Sequence, residues 1–191
     1  MANPCAGIDL GTTYSGIAVI NPAGKPEIIP NAEGERITRS AVFFQETQGV
    51  IVGGMAARAI GAYGDRVVVN VKRQMGNKDF LYQIDNRSYS PDEISALLLR
   101  KVKQDAEVTL GPIKYAVITV PAYFKEDQRV ATVNAAKLAG IEVLRIINEP
   151  TAAAIAYASL NVQSGTVLIY DFGGGTFDVS IVRINSISDI E

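Results

Sequence analysis

The chain has 191 residues, 48% of them hydrophobic, with 18 basic and 20 acidic side chains that leave a formal charge of -2, one cysteine and no histidine. That composition supplies a full core and excludes a disordered segment, and the balanced charge without a Lys/Arg block gives no electrostatic footprint for nucleic acid. Imidazole bases, His-containing triads, the usual zinc sites and a disulfide framework are excluded, and no run approaches the ~20 apolar residues of a membrane helix.

Residues Met1 to Cys5 carry neither the basic nor the apolar part of a secretion signal, so the chain reads as cytosolic. Cys5 is expected as a small buried hydrophobe opening the first strand. Alternation and β-branched content then predict strands at Ala6 to Leu10, Tyr14 to Ile20 and Glu27 to Ile29, a meander with a turn at Asn21 to Gly24. Short strands follow at Ala41 to Phe44, Val50 to Val52, Leu81 to Ile84 and around Tyr89, small enough for an inserted subdomain. Between them Met55 to Ala62 and Asp65 to Gln74 read as helices, the second against the β-branched run Val67-Val68-Val69.

A strong helix signal begins at Ser90-Pro91-Asp92-Glu93. Ser90 caps, Pro91 suits the first position and Glu93 closes a capping box; Ile94, Leu97, Leu98, Val102 and Ala106 then recur on one face until Gly111-Pro112. Strand and helix alternate from there: a buried strand at Tyr115 to Val120, a helix from Glu126 to Ala139 closed by Gly140, a strand at Val143 to Ile147 and an Ala-rich helix from Thr151 to Ser159. The pattern is α/β, with helices flanking a mixed sheet. After a linker at Val162 to Gly165, Thr166 to Tyr170 and Phe177 to Ile184 form a hairpin whose apolar first strand suits the middle of a larger sheet, as in a piece of a longer protein.

Two loops in this sequence repeat one pattern. Asp9-Leu10-Gly11-Thr12-Thr13 and Asp171-Phe172-Gly173-Gly174-Gly175-Thr176 each follow an apolar run and precede an alternating one. A glycine turn followed by threonines points backbone N–H groups and hydroxyls outward as an anion nest, although one such loop alone reads more readily as an ordinary hairpin turn. Three consecutive glycines carry an ordering cost that a plain turn does not require, so close backbone approach to a ligand explains them better. Carboxylates at Asp9 and Asp171 would repel phosphates unless a divalent cation lay between, and Mg²⁺ takes few protein carboxylates alongside waters and phosphate oxygens. The pair implies Mg-nucleotide or another Mg-polyphosphate. Glu149, before a helix, is suited to hold a metal-bound or attacking water, or simply to satisfy the helix dipole. Lys72 is suited to stabilise transferring phosphoryl charge, but without further context it reads as a solvated surface lysine.

The segments GIDLGTTYS at Gly7 to Ser15, VITVPAYF at Val117 to Phe124 with Gln128 and Arg129, RIINEPTAAAIAY at Arg145 to Tyr157 and YDFGGGTFDVSIV at Tyr170 to Val182 closely resemble the DnaK-type seventy-kilodalton heat-shock chaperones. Actin-like filament proteins and sugar kinases share the two-loop plan, but INEPTAAAIAY and VPAYF are more similar to the chaperone. The resemblance implies an actin-like ATPase of ribonuclease-H-like fold, with residues 1–162 as the first lobe, an inserted subdomain at about 36–112, and residues 163–191 as the opening hairpin of the second. It further implies that Gly11, Thr12, Thr13 and Tyr14, with Gly173, Gly174, Gly175 and Thr176, hold the phosphates of ATP or ADP. Asp9 and Asp171 would hold Mg²⁺ through water, and Lys72 and Glu149 would position the hydrolytic water, with Asp171 and Thr176 counted in the catalytic set. Pro121 and Arg129 would relay nucleotide state to a peptide-binding domain, and Asp178 would lie near the site or be a solvated strand residue.

The implied partners are unfolded polypeptides, a J-domain co-chaperone and a nucleotide exchange factor, with neither nucleic acid nor membrane. Arg39 stands where the family usually has proline, and Asp65 to Asn70 departs from the familiar lead-in to the lysine. Housekeeping chaperone and divergent paralogue both stay open. Because the resemblance stops at the opening of the second lobe, these residues alone are expected to bind ATP weakly, to turn over little and to self-associate through the uncovered hairpin. Two other readings remain: an actin-like filament protein, and a binding module without turnover.

Overall fold

The computed structural model describes residues 5–47, 49–160, 164–174, 177–186 and 189–190. An antiparallel meander, β1 (Cys5–Leu10), β2 (Tyr14–Ile20) and β3 (Pro26–Ile28), opens the chain, and β4 (Thr38–Arg39) pairs with the start of β2. A small sheet follows, in which β5 (Ala41–Gln45) lies between β6 (Gly49–Val52) and β7 (Val67–Val69), with α1 (Gly54–Arg58) and α2 (Ile60–Tyr63) between β6 and β7 in sequence. The hairpin β8 (Tyr82–Ile84) and β9 (Arg87–Tyr89) leads into α3 (Pro91–Leu110). Strand and helix then alternate through β10 (Tyr115–Val120), α4 (Glu126–Leu138), β11 (Glu142–Asn148) and α5 (Glu149–Leu160). Last come β12 (Gly165–Phe172), β13 (Phe177–Ser186) and β14 (Asp189–Ile190), a three-stranded antiparallel sheet.

The principal sheet runs β11-β10-β1-β2-β3. β1 is antiparallel to β2 but parallel to β10, and β10 is parallel to β11, so β1, β10 and β11 end on the same side. One face of this sheet is the core. Ala6, Ile8 and Leu10 from β1, Ile17 and Val19 from β2 and Ala116, Ile118 and Val120 from β10 are buried there with Ile94, Leu98 and Val102 of α3 and Ala131, Ala135 and Ala136 of α4. The alternation that makes this face also decides its opposite: Cys5, Gly7 and Asp9 point away from the core. Cys5 does open β1, but it is exposed rather than buried, because it shares the parity of Asp9 and not that of Ile8.

The capping box of α3 forms as expected: Ser90 Oγ accepts from the Glu93 N–H, and the Glu93 carboxylate accepts from the Ser90 N–H at 2.8 Å. Residues Asp65 to Gln74 are not one helix. A 3-10 turn at Gly64–Arg66 gives way to β7, and a second 3-10 turn at Val71–Gln74 follows Asn70, whose φ of 56° is left-handed. Three consecutive valines pair with Ala41, Val42 and Phe43 on β5, where their branched side chains pack on a pleated surface.

Candidate functional site

A cavity of about 400 Å³ opens beyond the shared ends of β1 and β10. In open α/β sheets that is where ligands enter, outside the carboxyl ends of parallel strands. Asp9, Gly11, Thr12, Thr13 and Tyr14 form one wall, Asp171, Gly173 and Gly174 another, and Lys72, Thr119 and Glu149 complete it. The two acid-and-glycine loops therefore face one space. Gly175 and Thr176 of the second loop lie outside the described residues.

Gly11 is dictated by the turn, since a Cβ there would lie 2.0 Å from the carbonyl oxygen of Tyr14. At Gly174 a Cβ would come within 2.6 Å of Thr13 Oγ1. This close approach is between the loops themselves: the backbone of the second rests on a threonine of the first, a reason for glycine that adds to the ligand approach expected from sequence.

Lys72 comes from the 3-10 turn after β7, and Glu149 from the first residue of α5, directly after β11. Separated by 77 positions, they meet with Nζ donating to Oε1 at 2.5 Å. The lysine side chain is 9% exposed and the glutamate 16%, which removes the solvated-lysine reading. Burial pushes the Glu149 carboxyl above its usual range, Lys72 pulls it back and the charges of Asp9 and Asp171 add to the rise. Asp9 and Asp171 are thus both within electrostatic reach of Glu149. The cavity concentrates negative charge around one ammonium.

Thr119 was not singled out by sequence reasoning. It stands opposite Asp9 in the β1–β10 register, and its Oγ1 donates to Asp9 Oδ1 at 2.8 Å, fixing that carboxylate. Ser40 was also missed; it braces the first loop from behind, its Oγ donating to the Gly11 carbonyl at 2.8 Å and its N–H to the Thr13 carbonyl at 2.9 Å. No local signal marks either residue, because both contacts depend on strand register across distant segments.

Pro121, fully buried, follows β10 and accepts at its carbonyl from Phe124 N–H. Arg129 on α4 donates from Nη2 to Asn148 Oδ1 at 2.7 Å, one residue before Glu149, and from Nε to the Phe124 carbonyl. Asp178 faces Asp171 across the β12–β13 hairpin, and its charge, after burial, helps raise the phenol of Tyr123.

A mixed sheet flanked by helices, with two acid-and-glycine loops and one buried lysine–glutamate pair lining a common cavity, defines an α/β protein with its cleft at the ends of the parallel strands. The family described as Hsp70 protein matches residues 5–85 and 77–187. The chain is 54% identical to chaperone protein DnaK of Thermotoga neapolitana over 180 residues, 93% of this chain and 30% of that protein. It is 53% identical to the chaperone proteins DnaK of Thermotoga petrophila and Thermosipho melanesiensis over the same shares. This chain belongs to the Hsp70 family, and it spans about three tenths of the length of these relatives.

Proposed function

We propose that the chain is the ATP-binding and ATP-hydrolysing part of a molecular chaperone that couples nucleotide state to binding and release of unfolded polypeptide. The observation that carries this reading is the buried Lys72–Glu149 pair in the wall of a cavity that both glycine loops line. The three-stranded meander extended by two parallel strands supports a ribonuclease-H-like first lobe of an actin-like ATPase, spanning residues 1–162 with an inserted subdomain at about 36–112. Residues 163–191 then open the second lobe.

On this reading Thr12, Thr13, Tyr14, Gly173 and Gly174 cradle the phosphates through backbone N–H groups and hydroxyls, and Gly175 and Thr176 extend the cradle. Glu149 orients the water that attacks the terminal phosphorus. Lys72 neutralises charge on the phosphoryl group as its bond to the ADP oxygen breaks and the bond to water oxygen forms, a reaction in which positioning and charge supply most of the catalysis. The residues fit Mg²⁺ bound through its waters: Asp9 and Asp171 line one cavity, and among the described residues no group of three His, Cys, Asp or Glu could hold an ion directly. Mg²⁺, when bound, screens the phosphates from those carboxylates.

Arg129, held on Asn148 beside Glu149, and Pro121 at the end of β10 are suited to carry nucleotide state outward to a peptide-binding domain. J-domain co-chaperones and nucleotide exchange factors are the further partners proposed, in the cytoplasm. Among the described residues no helix is long and apolar enough to cross a membrane.

The test is Lys72→Ala in a chain extended to the relatives' length: single-turnover hydrolysis falls by about 10²-fold or more, as for loss of a transition-state charge contact, while ATP affinity changes little. Unchanged hydrolysis would refute the assignment. The 191 residues alone are proposed to bind MgATP more weakly than the extended chain; calorimetric titration of both checks this, with equal affinities counting against it.

A further inference from the structure

Behind the first loop lies a second cavity of about 250 Å³, which shares Thr12, Thr13 and Gly174 with the first. Its remaining polar groups differ in kind. The first cavity is lined by three carboxylates and one lysine, whereas the second has Arg39 as the sole ionisable group among its described lining residues, joined by Asn70.

Arg39 is held in place without being neutralised. Its guanidinium carbon lies 4.8 Å above the centroid of the Tyr14 ring, and among the described residues it pairs with no carboxylate. This ring contact leaves the guanidinium N–H donors without a hydrogen-bond partner among the described residues, available to a tetrahedral oxyanion. Asn70, in a left-handed backbone conformation, also lines this cavity, and its side-chain amide has no partner among the described residues. The hydroxyls of Thr12 and Thr13 complete a set of donors without an opposing acid. At roughly 30 Å³ per water the space holds about eight waters, enough for one hydrated phosphate, and it falls below the ~300 Å³ at which pockets for larger organic ligands begin.

We propose that this side cavity is a binding site for inorganic phosphate, and that Arg39 is its principal anchor. Resting on the ATPase reading above, the site receives the phosphate product: the cavity where that anion forms engages its one lysine with Glu149, while across the Thr12–Thr13 wall Arg39 pairs with no carboxylate among the described residues. Phosphate affinity itself does not depend on that reading, so the two are tested separately.

In the first arm the nucleotide-free chain is titrated with sodium phosphate against sodium chloride of equal ionic strength and followed by amide NMR. Saturable shifts at Arg39 and Asn70 are expected. Arg39→Gln should weaken the phosphate affinity by about tenfold, the scale of one charge-assisted hydrogen bond, and Asn70→Gly, which keeps the left-handed backbone available, should weaken it less. Shifts confined to Asp9 and Asp171, shifts that chloride reproduces, or equal affinity in Arg39→Gln would overturn the site. In the second arm, phosphate release after a single turnover of the extended chain is followed with a fluorescent phosphate reporter. A changed release rate in Arg39→Gln supports the product role; an unchanged rate alongside weakened phosphate binding overturns that role and leaves the site and the ATPase reading standing.

Discussion

Glu149 shows how one residue's chemistry is set by its neighbours. Its carboxyl is raised above the ordinary value of 4.5, first by burial and then by Asp9 and Asp171, with Lys72 opposing. A carboxyl raised on folding keeps its proton to higher pH in the native than in the unfolded chain, so its contribution to stability falls as pH rises from 4.5 through the native value. Carboxyl NMR titration of the ligand-free chain should give a midpoint above 4.5, moved further up in Lys72→Met and down in Asp9→Asn. A wild-type midpoint at or below 4.5 would show that the Lys72 ion pair outweighs burial and the two aspartates. In the sequence, Glu149 also reads as a plain helix N-terminal acid and Lys72 as a solvated lysine, because nothing in a linear chain shows that residues separated by 77 positions meet. Asp9 and Gly11 were legible since acid, glycine and threonine are contiguous and the turn is local.

At the scale of elements, the first loop depends on the β4–β5 junction as much as on its own glycine. Ser40 is 3% exposed, donates to the Gly11 carbonyl and shares a hydrogen bond of 2.9 Å with Ser15 Oγ. Ser40→Ala removes this hydroxyl from a site that water does not reach, so the Gly11 carbonyl and the Ser15 hydroxyl both lose a partner. The expected loss is about 1–3 kcal/mol in denaturant unfolding, with nucleotide affinity weakened as the loop loosens; Ser40→Cys, which keeps a weak donor, should lose less. No change in either measurement would show that the turn holds itself. β4 was not legible in sequence because two residues carry no periodicity, and Asp65 to Gln74 misled because helical composition competed with a valine triplet that only pairing to β5 resolves. Where a capping box and a long periodic face are present, as at Ser90 and through α3, local and tertiary preferences agree and the helix is legible in the sequence.

Across the whole molecule, the apolar surface is unequally covered. The hairpin β12–β13 sets Val167 opposite Val182 on the face packed against Ala154 and Ala158 of α5, but register puts Leu168 opposite Ile181, Tyr170 opposite Val179 and Phe172 opposite Phe177 on the other. That second face is open, with Phe172 78% and Ile181 74% exposed. The aromatic rings there contact one another, Tyr170 to Phe177 at 4.7 Å and Phe172 to Phe177 at 6.0 Å, so a continuous apolar strip meets water beside an edge strand. Such strips and edges pair with other chains when nothing blocks them. The 191-residue chain is therefore proposed to self-associate through this hairpin, with apparent mass in light scattering rising with concentration. Ile181→Lys places a charge in the middle of the strip and should return the chain to a monomer without touching the core, whereas Ile20→Lys, also exposed but on β2 of the principal sheet, should not. A strictly monomeric wild-type chain at high concentration would refute the idea. Equal dissociation by both substitutions would make net charge, rather than the hairpin, the determinant.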